Sequence, residues 1–341
     1  DPANYWARFV AALAQRYAGR IDYWIIWNEP DIDPGQQGST WSGYEDEYYY
    51  LVKTASLAAK AVNPEAKIVF AGTTYFADFN IGRKLFLDRI LTVARNHDPT
   101  AAANGYYFDV VNLHIYGAVH EMGNIPQQNR EVLRRFGLDK PIWISEANVV
   151  PWNDPVSPLP RGHFRATLEE QASFVIQAFA LASATGVERF QIYKMRDGEI
   201  ERREPYGLVR NDGSLRPAFV AYQVAAKYLD RPAKVTYRRE GDIYYVIFER
   251  QESRTTVLWN GGPAPGAGVV SPVGTRAVLL DKYGRATPVD PRQATYSIPL
   301  APATANTVDG QPNIYIIGGD PRILVEEGLG ESFTDVNNSL Y

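Results

Sequence analysis

Tyr23-Trp24-Ile25-Ile26-Trp27-Asn28-Glu29-Pro30-Asp31 is the stretch that decides the fold. Five apolar or aromatic residues run unbroken into Asn28-Glu29-Pro30, the pattern of a strand buried on both faces that stops at a polar tip. Proline has no N–H to give to a sheet ladder, so pairing is expected to end there. A carboxyl and an amide are thereby placed at the carboxyl end of a buried strand, where parallel α/β folds carry their chemistry. Pro141-Ile142-Trp143-Ile144-Ser145-Glu146-Ala147-Asn148 repeats the arrangement, with a second glutamate at a strand end. Two carboxyls so presented are the minimum needed to cleave a glycosidic bond by acid/base chemistry.

Around these strands the texture is α/β as far as residue 230. Trp6, Phe9, Val10, Leu13 and Tyr17 share one face at helical spacing within 3–18. Helix 44–62 then precedes strand 67–72, and helix 81–95 precedes strand 108–116. A short helix over 130–136 leads to strand 141–146. Helix 167–185, opened by a Thr167…Glu170 capping box, leads to strand 189–194. A last helix begins near Pro217. Strict alternation of this kind implies a parallel sheet. Beyond Asp230, period-two segments such as 243–248 and 255–259 are separated by Gly/Pro turns, which reads as an antiparallel β-sandwich. Gly261–Gly266 is one such turn rather than a phosphate loop, since no helix follows it. The polar tail 327–341 is expected to be irregular.

Composition excludes several classes. Lys plus Arg (35) nearly balances Asp plus Glu (39) without long runs, so neither nucleic acid nor an anionic membrane is an expected partner. The absence of cysteine rules out disulfides, thiolate catalysis and cysteine-bound zinc. The four histidines (97, 114, 120 and 163) show no close ligand spacing with carboxylates, so neither a metal nor any other cofactor is expected. No apolar run reaches membrane-spanning length; the longest, 174–184, is interrupted by Gln177 and Ser183. No Gly-x-Ser-x-Gly elbow occurs, which argues against a serine esterase.

Three motifs in order carry a family resemblance: Trp27-Asn28-Glu29-Pro30, Leu113-His114-Ile115-Tyr116 and Ile144-Ser145-Glu146. They resemble the strand 4, 6 and 7 motifs of the retaining glycoside hydrolase clan built on (β/α)8 TIM barrels. Within it the chain looks most like glycoside hydrolase family 39, the β-xylosidase, α-L-iduronidase and exopolysaccharide hydrolase group. Tyr206-Gly207-Leu208 through Arg216-Pro217-Ala218 also resembles that clan's final loop and helix. The resemblance implies that residues 1–230 are the C-terminal part of a catalytic barrel, units 4 to 8, and 231–341 an accessory β-sandwich. On that pattern strands 1 to 3 would precede Asp1. An open arc of five strands exposes two edges, so the missing units are expected from a separate chain, a cleaved segment or residues outside this sequence.

The resemblance assigns Glu29 as general acid/base and Glu146 as nucleophile. Spacing would discriminate the mechanism: carboxyls roughly 5 to 5.5 Å apart imply retention, and roughly 6.5 to 9.5 Å inversion. Asn28 is expected to bind the sugar 2-hydroxyl, or else to cap its loop. His114 and Tyr116 lie two apart on one strand and so share a face. The family gives the histidine to the sugar and the tyrosine hydroxyl to Glu146, with a satisfied buried histidine as the alternative. Tyr193 stands where many clan members carry a tryptophan platform. Lys194 is assigned either to a substrate carboxylate or hydroxyl, or to plain surface. Trp152, in the long 149–162 loop, either walls an aglycone subsite or packs that loop. The implied activity is retaining hydrolysis of a β-linked oligo- or polysaccharide, a xyloside or bacterial exopolysaccharide above others, outside the cell or in the periplasm. The competing expectation is a non-catalytic carbohydrate-binding or scaffold protein with a split barrel.

Overall fold

The computed structural model describes residues 3–161, 165–198, 205–290, 292, 294–306 and 315–329. His163, the last residue of the 149–162 loop and most of the polar tail lie outside them. Two compact units are present. One comprises the residues up to Ile115 with Asn124–Ala147 and Gly186–Gln191; the other comprises Tyr116–Gly123, Asn148–Thr185 and the residues from Ile192 onward.

The first unit is built on a parallel sheet. Helix α1 (Tyr5–Arg16) precedes strand β1 (Tyr23–Ile25), α2 (Glu45–Val62) precedes β2 (Lys67–Thr73), and α3 (Phe76–Asn80) with α4 (Phe86–His97) precede β3 (Val110–Tyr116). Helix α5 (Glu121–Arg135) leads to β4 (Ile142–Asn148). Next along the chain come β5 (Val150–Pro151), β6 (Arg165–Ala166) and α6 (Leu168–Ala184), which lie in the second unit, then β7 (Arg189–Phe190) in the first and α7 (Pro217–Tyr228) in the second. The sheet runs β1-β2-β3-β4-β7. Chain order along the sheet follows from helix-linked neighbours, the expected product of strict alternation. Its lower interior is a cluster of Val69, Val110 and Trp143 with Tyr23 packed against it, so Trp143 is a core residue.

Several expectations are corrected. The stretch 23–27 is not a strand buried on both faces: β1 covers only Tyr23–Ile25, and Ile25 is 47% and Trp27 40% exposed. The cause is position, because β1 is an edge strand whose described partner is β2 alone. The apolar face expected of α1 is likewise only partly covered, with Val10 and Ala14 buried but Phe9 56% exposed. Strand 189–194 shortens to two residues. The fourth helix begins at Phe86 rather than residue 81, and a separate short helix, α3, precedes it. Helix α5 is longer than 130–136 because burial of Met122 and Ile125 carries it through Gly123 and Pro126, residues that locally read as breakers.

In the second unit, α6 is apolar nearly all round, as suits a helix covered on every side. Its capping box forms as expected, Glu170 N–H to Thr167 Oγ1 at 3.2 Å and Thr167 N–H to Glu170 Oε2 at 2.7 Å. The strands after residue 230 are β8 (Lys234–Glu240), β9 (Ile243–Glu249), β10 (Ser253–Asn260), β11 (Gly266–Val270), β12 (Arg276–Leu280), β13 (Ala286–Val289), β14 (Tyr296–Leu300), β15 (Ala305–Asn306), β16 (Tyr315–Ile317) and β17 (Arg322–Glu327). Six make an antiparallel sheet ordered β13-β12-β17-β10-β9-β8, and β11 pairs β14. Tyr245, Leu258 and Leu324 of the first and Val270, Tyr296, Ile298 and Leu300 of the second share one core. Helix α6 belongs to the same compact unit: the Gln177 amide donates to Gly319 O and accepts from Gly318 N–H, and Lys282 Nζ donates to the Glu169 carbonyl and to Ser173 Oγ. Among the described residues no helix is long and apolar enough to cross a membrane.

A buried charge network ties the loop after β4 to the segment before α7. Arg210 and Arg216 both donate to Asp154, and Arg216 makes a two-pronged pair with Asp197 at 2.7 and 2.8 Å. Asp154 and Arg216 are fully buried, and removing one member of such a set strands the others' charge. Asp154→Ala is therefore expected to lower stability by about 3–5 kcal/mol, read from the midpoint of a urea unfolding curve.

Candidate active site

Glu29 is set on the sheet by an irregular backbone. Trp27 and Glu29 adopt φ of +76° and +45°, left-handed values that cost a non-glycine residue about 1–3 kcal/mol each. The surroundings hold them there. Ile26 N–H donates to Val69 O and Glu29 N–H to Gly72 O, both at 3.0 Å. Tyr48 Oη donates to Ile26 O while accepting from Ala71 N–H, which staples the end of β1 to β2. The Thr40 hydroxyl caps the Asn28 carbonyl, and the Trp27 indole reaches Thr40 O while packing edge-on against Trp41. Strain maintained by so many contacts marks a position whose geometry matters.

His114 comes up from the middle of β3 and is buried. Its Nδ1 lies 2.7 Å from Glu29 Oε1 and 3.6 Å from Glu146 Oε2, and its Nε2 lies 3.1 Å from Ser145 Oγ. Three side chains from one side of the sheet thus converge: one nitrogen or oxygen atom each of Glu29, His114 and Glu146 lies within 4.8 Å of the others. Gly72 makes the arrangement possible, for a Cβ there would stand 1.9 Å from His114 Nε2. No side chain but hydrogen fits under the ring. Both ring nitrogens thus lie within hydrogen-bond distance of protein oxygens. Asn28 is exposed beside Glu29.

A second grouping collects Tyr116, Tyr193 and Lys194. Tyr116, Tyr193 and Tyr206 pack edge to face with centroids 5.4–6.2 Å apart. Lys194 Nζ sits 4.9 Å above the Tyr193 ring. Asn148, fully buried, donates to the carbonyls of Tyr193 and Tyr206 at 2.7 Å each and so holds two of the three rings in place. Trp152 stands apart from this grouping; its backbone N–H pairs with Ala166 O and its carbonyl with Leu159 N–H in the loop after β4. Sequence reasoning did not single out Gly72, Ser145, Asn148 or Tyr206. Ser145 and Asn148 flank Glu146 within one strand and could have been flagged by adjacency; Gly72 carries no local signal at all.

The profile of the Glycosyl hydrolase catalytic core family matches residues 3–222. The chain belongs to that family of glycoside hydrolases. No curated protein matches it by sequence. Among solved structures it is similar to a family 39 glycoside hydrolase from Bacteroides cellulosilyticus WH2, with 17% identity, 94% of this chain and 61% of that one covered, and a TM-score of 0.60. It is also similar to a glucosidase from Croceicoccus marinus (12% identity, 94% and 74% covered, TM-score 0.62). A family 30 endoxylanase from Clostridium papyrosolvens C71 is a third (14% identity, 95% and 70% covered, TM-score 0.60). The chain thus spans 61% of the length of the first of these and 70–74% of the other two.

The loop that follows Glu29 is pinned by Asp31, whose Oδ2 accepts both the N–H and the hydroxyl of Thr74 at 2.8 Å. Burial lifts the Asp31 carboxyl to about 6; the Thr74 hydrogen bonds pull it back and nearby Asp78 pushes it up further. A carboxyl raised in the folded state is favoured protonated. Its stability contribution is greatest below the ordinary value of 3.8 and is lost as pH climbs to about 6. At about 1.4 kcal/mol per pKa unit the ionised form costs roughly 3 kcal/mol. Asp31→Asn is therefore expected to melt at a higher temperature than the parent at pH 8 and to lose that advantage near pH 4 in thermal scans.

Proposed function

We propose that this chain is the catalytic part of a retaining O-glycoside hydrolase. Carrying the reading is the convergence of two strand-end carboxyls on one imidazole, with their nearest oxygens within 4.8 Å. So close an approach is compatible with the roughly 5 to 5.5 Å carboxyl spacing of a retaining pair. Glu29 is the general acid/base and Glu146 the nucleophile. The Glu146 carboxylate attacks the anomeric carbon while the Glu29 carboxyl gives its proton to the departing glycosidic oxygen, forming a glycosyl ester. Glu29, now a carboxylate, then takes a proton from water, which attacks the same carbon and frees Glu146. His114, braced by Ser145 and lying over Gly72, keeps the two carboxyls in register; Asn28 faces the sugar beside the acid.

The substrate is a β-linked oligo- or polysaccharide, with xyloside and bacterial exopolysaccharide foremost, supported by similarity to a family 39 enzyme and an endoxylanase. Tyr116, Tyr193, Lys194 and Trp152 supply substrate contacts, the tyrosine rings being suited to stacking on sugar. Such polymers lie outside cells, which favours an extracellular or periplasmic place of action. Further β/α units, completing a (β/α)8 barrel of which this chain gives units 4 to 8, pair with the open side of β1 and cover Ile25 and Phe9. Their source is a separate chain, a cleaved segment or residues beyond this sequence. In this arrangement residues 1–230 carry the chemistry and 231–341 form the accessory β-domain.

Glu146→Gly should lower turnover of an aryl β-glycoside by several orders of magnitude, with partial recovery and a glycosyl azide product when azide is added; undiminished turnover would refute the nucleophile. Gly72→Ala, whose methyl collides with the His114 ring, should lower kcat by about 10²-fold or more with little change in KM. Once His114 is Ala the same change should cost almost nothing, so the double-mutant cycle measures whether Gly72 acts through the imidazole.

A further inference from the structure

His114 brings together a nitrogen and two carboxylate oxygens close enough for one metal ion to span them. We propose that Glu29, His114 and Glu146 form a binding site for a divalent transition-metal ion, Zn2+ foremost, whose occupancy blocks hydrolysis. The block rests on the reading of Glu29 and Glu146 as acid and nucleophile; the binding itself does not.

Four observations carry it. Three side chains from one side of the sheet each offer a ligand atom, and the three atoms lie within 4.8 Å of one another. Tetrahedral ligands at bond lengths of about 2.0–2.1 Å stand roughly 3.4 Å apart. The observed 2.7 Å and 3.6 Å separations from Nδ1 bracket that value, so rotations about the glutamate side chains close the set. Next, the imidazole is preorganised: it lies against Gly72, where a Cβ would stand 1.9 Å from Nε2, and Ser145 Oγ sits 3.1 Å from that nitrogen. When the Ser145 oxygen accepts Nε2–H, Nδ1 presents its lone pair between the two carboxylates, the outer partner that metal-bound histidines characteristically have. Third, the histidine is buried while both glutamates remain partly open, with side-chain exposures of 18% and 24%, so an ion entering from solvent reaches the site and keeps a position for water. Last, one imidazole with two carboxylates selects Zn2+, Ni2+ or Cu2+ over Mg2+ and Ca2+, which favour all-oxygen shells.

An ion held there takes the oxygen electrons with which Glu146 would attack and removes the proton that Glu29 would donate. Sugar and metal therefore exclude each other.

The test is calorimetric titration of the full chain with ZnCl2 in a non-chelating buffer at pH 7, alongside visible absorption on Co2+ addition. One ion per chain is expected, with Mg2+ and Ca2+ giving no comparable heat. His114→Ala and Glu146→Gln should each weaken Zn2+ by at least tenfold and abolish the intense low-coordinate Co2+ bands. Circular dichroism checks that the variants are folded, and either folded variant suffices for the comparison. Absence of binding, or binding that both folded variants leave unchanged, shows an adventitious surface ion and overturns the site. In the active protein Zn2+ should raise the apparent KM for an aryl glycoside, reversed by a chelator; binding without inhibition overturns the block. A chain that binds Zn2+ through these residues yet hydrolyses no glycoside would overturn the proposed function and leave the metal site standing, and hydrolysis without such binding does the reverse.

Discussion

The hydrogen bond from Glu29 N–H to Gly72 O, together with the space above Gly72, is the constraint on which the site depends. The first fixes where β1 ends relative to β2 and holds Glu29 in a left-handed conformation it would not choose alone. The second lets an imidazole from β3 lie across β2 and reach the acid. A single residue thus sets both the backbone of one carboxyl and the ring that links it to the other. Tyr48 reinforces this from beneath, since its buried hydroxyl bridges Ile26 O and Ala71 N–H and keeps the two strands from sliding.

Stability is spent in a consistent way. The protein tolerates positive φ at Trp27 and Glu29 and an ionisable Asp31 that burial disfavours, all within five residues of each other. Compensation comes from apolar burial around α2 and β2, where Tyr48 packs edge to face on Phe70 and Phe86. The second unit follows another logic. Its loops after β4 and before α7 are locked by paired arginines and aspartates, and fully satisfied buried charges give a defined geometry at the expense of desolvation. Asn148 serves the tyrosine grouping as Gly72 serves the carboxyls: a small, buried residue that decides where larger ones stand.

What the chain's sequence determined by itself was the kind of structure and the acids within it. Alternating apolar strands and amphipathic helices require a parallel sheet, because each helix must cover the sheet that its strands build. Glu29 and Glu146 each follow an apolar run by a single polar residue, Asn28 or Ser145, and so fall near the carboxyl end of a strand. Hence the strand positions of Glu29 and Glu146 were legible, as were the α6 cap and the change to antiparallel strands after residue 230.

Tertiary structure decided the rest. Whether a strand is buried on both faces depends on its neighbours across the sheet, and β1 has one described neighbour, so its apolar run reads as core while Ile25 is half exposed. Helix α5 passes through Gly123 and Pro126 because Met122 and Ile125 are buried, and local propensity carries no information about that burial. Gly72 is silent in sequence because its significance lies in an atom it lacks, opposite a ring 42 positions away. The convergence of one imidazole on two carboxyls spans residues 29 to 146 and has no short spacing to betray it; only pairing the four strands β1 to β4 in register brings those atoms within 4.8 Å.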